Sequence, residues 1–301
     1  MKFTRDFITT ERNNMRIAVL SGKGGTGKTL LSVNLAAAAK ESVYVDCDVE
    51  EPNGHLYFKP LIITAEKVHV PLPVVDPGKC TGCGKCVDFC QFHALAHTGK
   101  SLIIFEDICH SCGGCLLVCP ENALTEKDKE VGQVTLGISE QVTVLSGEMN
   151  IGEASGIPLI HKLLENATTY KNYTFVDCPP GSACIVMESI QDADYCLLVA
   201  EPTIFGAHNL AMVADLVSLF SIPFGVVLNK DLPGENPSEA YCKEKGFPIL
   251  ARIPFDQKLG EINAQGKILV REDPKWEKIF SHILDTIHRE VKHETIAHSK
   301  R

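Results

Sequence analysis

Eight cysteines stand in two runs of identical spacing. Cys80, Cys83, Cys86 and Cys90 occupy CTGCGKCVDFC, and Cys109, Cys112, Cys115 and Cys119 occupy CHSCGGCLLVCP. Each run is C-x2-C-x2-C-x3-C, a spacing whose thiolates hold [4Fe–4S] cubanes, so the chemistry on offer is one-electron transfer. The runs keep a constant offset of 29 residues, and Ala94-Leu95 recurs as Ala123-Leu124, which marks an internal duplication. Such a repeat predicts two clusters related by a pseudo-two-fold, with the last cysteine of each run crossing to the other cluster. Cys80, Cys83, Cys86 and Cys119 then hold one, and Cys109, Cys112, Cys115 and Cys90 the other. A pair of zinc knuckles or a disulfide framework is the competing reading. Zinc takes four ligands and pairs C-x2-C with a distant second half, which leaves an uninterrupted run of four unexplained. Gln91 stands where proline would normally close the first run, whereas Pro120 closes the second.

A second chemistry lies upstream. Gly22-Lys23-Gly24-Gly25-Thr26-Gly27-Lys28-Thr29 satisfies G-x4-G-K-[ST], after the strand-like MRIAVLSG and before a helical run from Leu30 to Lys40. The glycines let successive N–H groups turn onto phosphates, Lys28 neutralises the β/γ oxygens, and the Thr29 hydroxyl binds Mg2+. A chance Gly-rich turn would lack that strand and helix. Asp46, Asp48 and Asp177 fall at the ends of strand-like runs. Such positions are where doubly wound sheets hold ligands, or else the polar ends of buried strands. Phosphoryl transfer needs charge neutralisation, a metal and a positioned water, and these residue types supply all three.

With Lys23 ahead of its glycines, the loop resembles the deviant Walker A group of P-loop ATPases, which includes MinD, ParA, Mrp and the nitrogenase iron protein. In that group the early lysine reaches across a dimer to the partner's phosphates. The resemblance therefore implies catalytic roles for Lys23, Lys28 and Asp48, and an ATP-dependent homodimer or a heterodimer with a related ATPase. VDCDVEEPN (45–53) resembles switch I, where Asp48 orients the attacking water. FVDCPPG (175–181) resembles Walker B and switch II. Thr29, Asp48 and Asp177 would then surround Mg2+. Guanine readers need Asp at position 232 of the LNKDLP run, and Leu232 stands there. The resemblance makes Asn229 the adenine contact, IPFD (253–256) the other base-side loop through Pro254, and ATP the nucleotide. Cys184 falls seven residues past Asp177, the spacing of the iron protein's cluster cysteine. Cys178 and Cys184 are either a labile interfacial metal site or small buried cysteines. Cys47, Cys196 and Cys242 read as structural.

These residues need elements to hold them. Strand-like SVYVD, YTFVD, DYCLLVA, FGVVLN and PILARIP alternate with helical runs at 157–164 and 210–220, which predicts a doubly wound, mostly parallel α/β sheet. The cysteine segment interrupts this alternation between the loop-like HVPLPVVDPG and the charged EKDKE, as an inserted small α+β domain of bacterial ferredoxin type. The expected organisation is an N-terminal tail at 1–14, an ATPase domain in two pieces at 15–69 and 130–293, the insert at 70–129 and a C-terminal tail at 294–301. Translation starts at Met1 or Met15. The apolar stripe of the closing helix, Trp276 to Val291, is expected to pack on the sheet instead of lying on a membrane. His282, His288, His293 and His298 read as solvated.

Composition bounds the rest. Hydrophobic residues make up 45% and charged residues 22% of the 301, an ordinary globular balance. A net charge of −9 argues against a nucleic-acid footprint. No run approaches a membrane span, and thirteen cysteines without a signal pattern predict reduced thiols, metal and a cytoplasmic setting. Three functions fit. They are an ATP-gated electron carrier with a redox partner, an ATPase that assembles iron–sulfur or other metal cofactors, and a MinD-like positioning ATPase with regulatory clusters.

Overall fold

The computed structural model describes residues 15–99, 101–170 and 173–298. The expected tail at 1–14 and the side chains of His293 and His298 lie outside the described residues.

β1 (Arg16–Leu20) runs into the phosphate loop and α1 (Lys28–Ala38). β2 (Ser42–Asp46), buried throughout, leads through α2 (Gly54–Phe58) to the long β3 (Leu61–Val75). A small unit follows, with α3 (Lys85–Phe89), β4 (Leu95–His97), β5 (Leu102–Ile104) and α4 (Gly114–Leu117). The chain returns along β6 (Leu124–Ser139) and turns into β7 (Val142–Met149). Regular alternation then resumes with α5 (Ile157–Ala167), β8 (Tyr173–Asp177), α6 (Cys184–Ile190), β9 (Tyr195–Ala200) and α7 (Ile204–Leu219). β10 (Phe224–Asp231), α8 (Pro237–Lys245) and β11 (Ile249–Pro254) complete it. α9 (Gln257–Ala264), α10 (Leu269–Glu272) and α11 (Pro274–His298) close the chain.

The main sheet has nine strands in the order β11-β10-β9-β1-β8-β2-β7-β6-β3. From β11 to β7 every pairing is parallel, and β6 and β3 add antiparallel strands at one edge. The central strands are near-continuous apolar runs because helices cover both faces. On one face α5 buries Leu159, Ile160 and Leu163, with Val213 of α7 and Cys242 of α8 in the same core. On the other face Leu31 and Leu35 of α1 meet Trp276, Phe280, Ile283 and Ile287 of α11. The closing helix thus packs on the sheet, and it runs to His298, past the expected start of a tail at 294. His288 is not simply solvated: its Nδ1 lies 3.1 Å from the Tyr173 hydroxyl.

The expected loop and charged break around the insert are strands. β3 pairs with β6 from Leu61↔Ile138 to Val75↔Leu124, so HVPLPVVDPG begins within β3 and EKDKE lies within β6. Proline argues against a central strand, but β3 is the sheet edge, and Pro71 and Pro73 stand at alternate positions where one row of N–H groups has no neighbour. The charged residues of β6 are tolerated because much of the two-stranded arm is exposed to solvent. The small unit sits at the end of this arm around buried Leu95, Leu102, Cys115 and Leu124.

Candidate functional site

The parallel register brings the C-terminal ends of β1, β8 and β2 to one edge, with Val19 beside Asp177 and Asp177 beside Asp46. The phosphate loop leaves β1 there. Gly27 caps α1 at φ 99°, a left-handed conformation suited to glycine, and a side chain there would run into the Asn229 amide. No side chain caps α1, so its first N–H groups are left for an anion.

Gly24, Gly25, Gly27, Lys28 and Thr29 line a cavity of about 700 Å3, together with Asp48, Tyr57, Pro180 and the segment 263–266. Lys28 is 6% exposed. Asp177 is buried beside it; its Oδ2 accepts the Tyr44 hydroxyl at 2.9 Å, while its Oδ1 has no hydrogen-bond partner. Burial pushes the Asp177 carboxyl up, and Lys28 opposes that shift. The orphaned Asp177 oxygen and the Thr29 hydroxyl are oxygen donors that fit a divalent cation, and Lys28 beside them is a counter-charge for phosphate. Burial also raises Asp48, to about 6, with Lys28 opposing and Asp177, Glu50 and Glu51 adding to the rise. Asp46 has a different duty. Its Oδ2 accepts the N–H groups of Asn53 at 3.0 Å and Gly54 at 2.8 Å, and its Oδ1 accepts Asp48 N–H at 3.3 Å. It pins the segment that carries Asp48.

Asn229 and Pro254 do not line this cavity. Asn229 is 3% exposed and donates its Nδ2 to the Thr26 carbonyl at 2.7 Å, holding the phosphate loop from beneath. Pro254 is exposed at the end of β11. Lys230 adds a second strap, donating to the Gly25 carbonyl at 2.7 Å and to Glu201 Oε1 at 2.7 Å. The other oxygen of Glu201 pairs with Lys23 Nζ at 2.5 Å. Burial would raise the Glu201 carboxyl, but the two ammonium groups outweigh it and hold the group low. Lys23 is thus docked within its own chain. Sequence reasoning missed Glu201, Lys230 and Tyr44; for Glu201, an acid ending the buried run YCLLVA was the available signal.

In the small unit the crossed cysteine sets come together in space. Cys80, Cys83, Cys86 and Cys119 line one cavity, and Cys90, Cys109, Cys112 and Cys115 line another. All these cysteines are free thiols, and among the described residues no three ligand side chains converge on a single-ion site. Four thiols spread around a hollow suit a multinuclear core better than one zinc ion. Burial, reinforced by the neighbouring Cys109 and Cys112, pushes Cys115 up to about 11, and burial likewise raises Cys86. A bound metal would ionise such thiols outright, and eight thiols gathered four to a cavity are a donor set that fits iron–sulfur clusters. Cys178 is buried in the sheet core and Cys184 is exposed at the start of α6. Cys47, Cys196 and Cys242 are buried in the same core as Cys178.

The family model for the CobQ/CobB/MinD/ParA nucleotide-binding domain matches residues 17–270. The chain belongs to this family. An uncharacterized protein of Methanocaldococcus jannaschii is 31% identical over 267 residues, covering 85% of this chain and 92% of its own length. An iron-sulfur cluster carrier protein of the same organism is 25% identical, covering 92% of this chain and 85% of its own. Among solved structures, the septum site-determining protein MinD of Pyrococcus horikoshii, complexed with Mg-ADP, superposes with a TM-score of 0.58 at 18% identity. That match covers 91% of this chain and 96% of MinD, and it shows the shared fold.

Proposed function

We propose that this member of the MinD/ParA family is an ATPase that couples its nucleotide cycle to two [4Fe–4S] clusters held by Cys80, Cys83, Cys86 and Cys119 and by Cys90, Cys109, Cys112 and Cys115. The observation that carries the proposal is the sorting of those cysteines, in the crossed pairing, into two cavities on an arm that grows from the ATPase sheet. Bound clusters would supply one-electron transfer. Lys28 and the N–H groups of the loop bind the phosphates, Thr29 and Asp177 would hold Mg2+ with Asp48 nearby, and Asp48 orients the attacking water. With its Nδ2 committed to Thr26, Asn229 has its Oδ1 to read an adenine amino group, with Pro254 on the same base side.

Lys23 acts on a second copy of the chain. Within one subunit Lys28 already neutralises phosphate, so a second loop lysine is redundant until two nucleotides face each other. Closure then requires Lys23 to leave Glu201. Ile204 and Phe205, 78% and 76% exposed just past Glu201, offer apolar surface for that contact.

The clusters serve electron transfer or cofactor assembly. The relative named as an iron-sulfur cluster carrier favours assembly, whereas two full cysteine sets on one arm favour resident redox centres. Anaerobic purification with iron counting, and EPR with ATP, ADP and no nucleotide, separates these. About eight irons that stay bound support the electron carrier, and additional losable iron supports assembly. A preparation containing only zinc would overturn the cluster assignment.

A further inference from the structure

The two cysteine cavities differ in their polar lining: Thr81, His97 and Glu121 stand at the first, and Gln91, His110 and Ser111 at the second. The repeat offset of 29 residues puts Glu126 in the second copy where the first has His97. His97 ends β4 and lines the cavity of Cys80, Cys83, Cys86 and Cys119. Its ring is packed against the cysteine loop at Gly82, whose φ is +71°. A Cβ on Gly82 would stand 2.7 Å from His97 Nε2 and 2.8 Å from its Cε1. At the other edge of the ring, His97 Nδ1 accepts the Gly99 N–H at 3.1 Å. The turn that makes this possible is closed by Thr98 N–H donating to the Ser101 carbonyl at 3.0 Å. A ring nitrogen that accepts from an amide carries no proton, so the ring N–H is on Nε2, the atom turned to the cysteine loop.

The second cavity has its own histidine, His110, but that ring is stacked on Phe92 at 3.9 Å between centroids, and among the described residues no hydrogen bond fixes which of its nitrogens carries the proton. The Glu126 carboxylate instead stands over Gly113, which lines that cavity, with Oε1 3.7 Å from a Cβ built there. Glu126, and Glu121 at the first cavity, are both exposed, so solvent and salt screen the two charges, and the asymmetry falls to His97, whose ring N–H is fixed toward its cysteine loop.

Resting on the two-cluster reading above, we propose that His97 is a positioning residue that donates its Nε2–H to the sulfur side of the first cluster and makes that cluster the more easily reduced of the pair. A hydrogen bond to cluster sulfur stabilises the more negative, reduced state, and an anion nearby opposes it. A low-potential one-electron donor loses one electron and the pair gains it, with no bond made or broken. That electron comes to rest in the Cys80, Cys83, Cys86 and Cys119 site. The duplication thus produces a direction for electron flow instead of two equal centres.

The test is an EPR-monitored redox titration of the full chain, purified anaerobically, with iron counted on the same samples. The wild type is expected to show two separable reduction steps. In His97→Leu the higher step should move to more negative potential while iron content and the lower step hold. His97→Gln, whose amide can still donate, should keep most of the separation, and Glu126→Gln should move only the lower step, upward. Coincident steps in the wild type, or unmoved steps in an iron-replete His97→Leu, would overturn the proposal. If His97→Leu loses iron, wild type carrying 15N-labelled histidine decides. Pulsed EPR of the singly reduced protein should show a nitrogen coupling that His97→Gln abolishes, and its absence in the wild type overturns the assignment. A wild-type chain without iron overturns the cluster reading itself and is recognised before any potential is measured.

Discussion

Three carboxylates, Asp46, Asp48 and Asp177, crowd the strand ends beneath the phosphate loop, and Lys28 is the cation set among them. Lys28→Ala removes charge-assisted bonds to phosphate and should weaken Mg-ATP binding by about 2 to 3 kcal/mol, roughly 30- to 150-fold in Kd, measured by calorimetry. With the role proposed for Asp48, acting on the water and not on the ground-state nucleotide, Asp48→Asn should keep binding and slow hydrolysis about 100- to 10,000-fold. Wild-type turnover in Asp48→Asn would refute the assignment. Asp48 also sets a pH signature for the nucleotide-free chain. Its folded value of about 6 lies above its ordinary 3.8, so its contribution to stability is full below the ordinary value and is lost as pH rises through about 6. After solvent screening this amounts to about 1 to 2 kcal/mol. In Mg2+-free buffer the wild type should therefore lose stability relative to Asp48→Asn between pH ~4 and ~6, and a pH-independent difference in Tm would contradict it. At this scale the loop glycines, Lys28 and Thr29 were readable from spacing, whereas the straps from Asn229 and Lys230 were not. They join residues 203 and 205 positions apart and follow no local pattern.

The arm formed by β3 and β6 is the element that sequence reading rendered as loop. Its alternation is blurred because Pro71, Pro73 and the charged run of β6 occupy an edge with no helix layer to demand apolar side chains. Its pairing from residue 61 to residue 138 is self-contained. Replacing 76–123 by a short hairpin turn should therefore leave Mg-ATP binding intact and abolish iron binding. Loss of nucleotide binding in that deletion would mean the small unit supports the ATPase sheet. α11, by contrast, was readable from its stripe. Phe280 is fully buried against the sheet, so Phe280→Ala should destabilise the chain by about 3 to 5 kcal/mol in denaturant unfolding.

For the molecule as a whole, the proposed mechanism makes the docked Lys23 the link between the nucleotide cycle and dimer formation. The Lys23–Glu201 pair must open before Lys23 can serve a second subunit, so Glu201→Gln should lower the ATP concentration needed for dimerisation, and Lys23→Ala should bind ATP yet stay monomeric. Small-angle scattering with hydrolysis blocked by Asp48→Asn measures both. A monomer in the otherwise unaltered Asp48→Asn background at tens of micromolar would remove the dimer from the mechanism. Sequence alone determined the parts whose chemistry is local: the Gly-Lys-Thr loop between a strand and a helix, the duplicated cysteine runs, and the alternation that yields a parallel sheet. Tertiary structure decided which distant groups meet. It pinned the segment carrying Asp48 on Asp46, docked Lys23 on Glu201, turned Asn229 into a strut, and held the His97 ring against one cysteine cavity while the His110 ring at the other is stacked on Phe92. Those outcomes depend on which strand ends and turns are brought side by side, and composition and spacing carry no record of that.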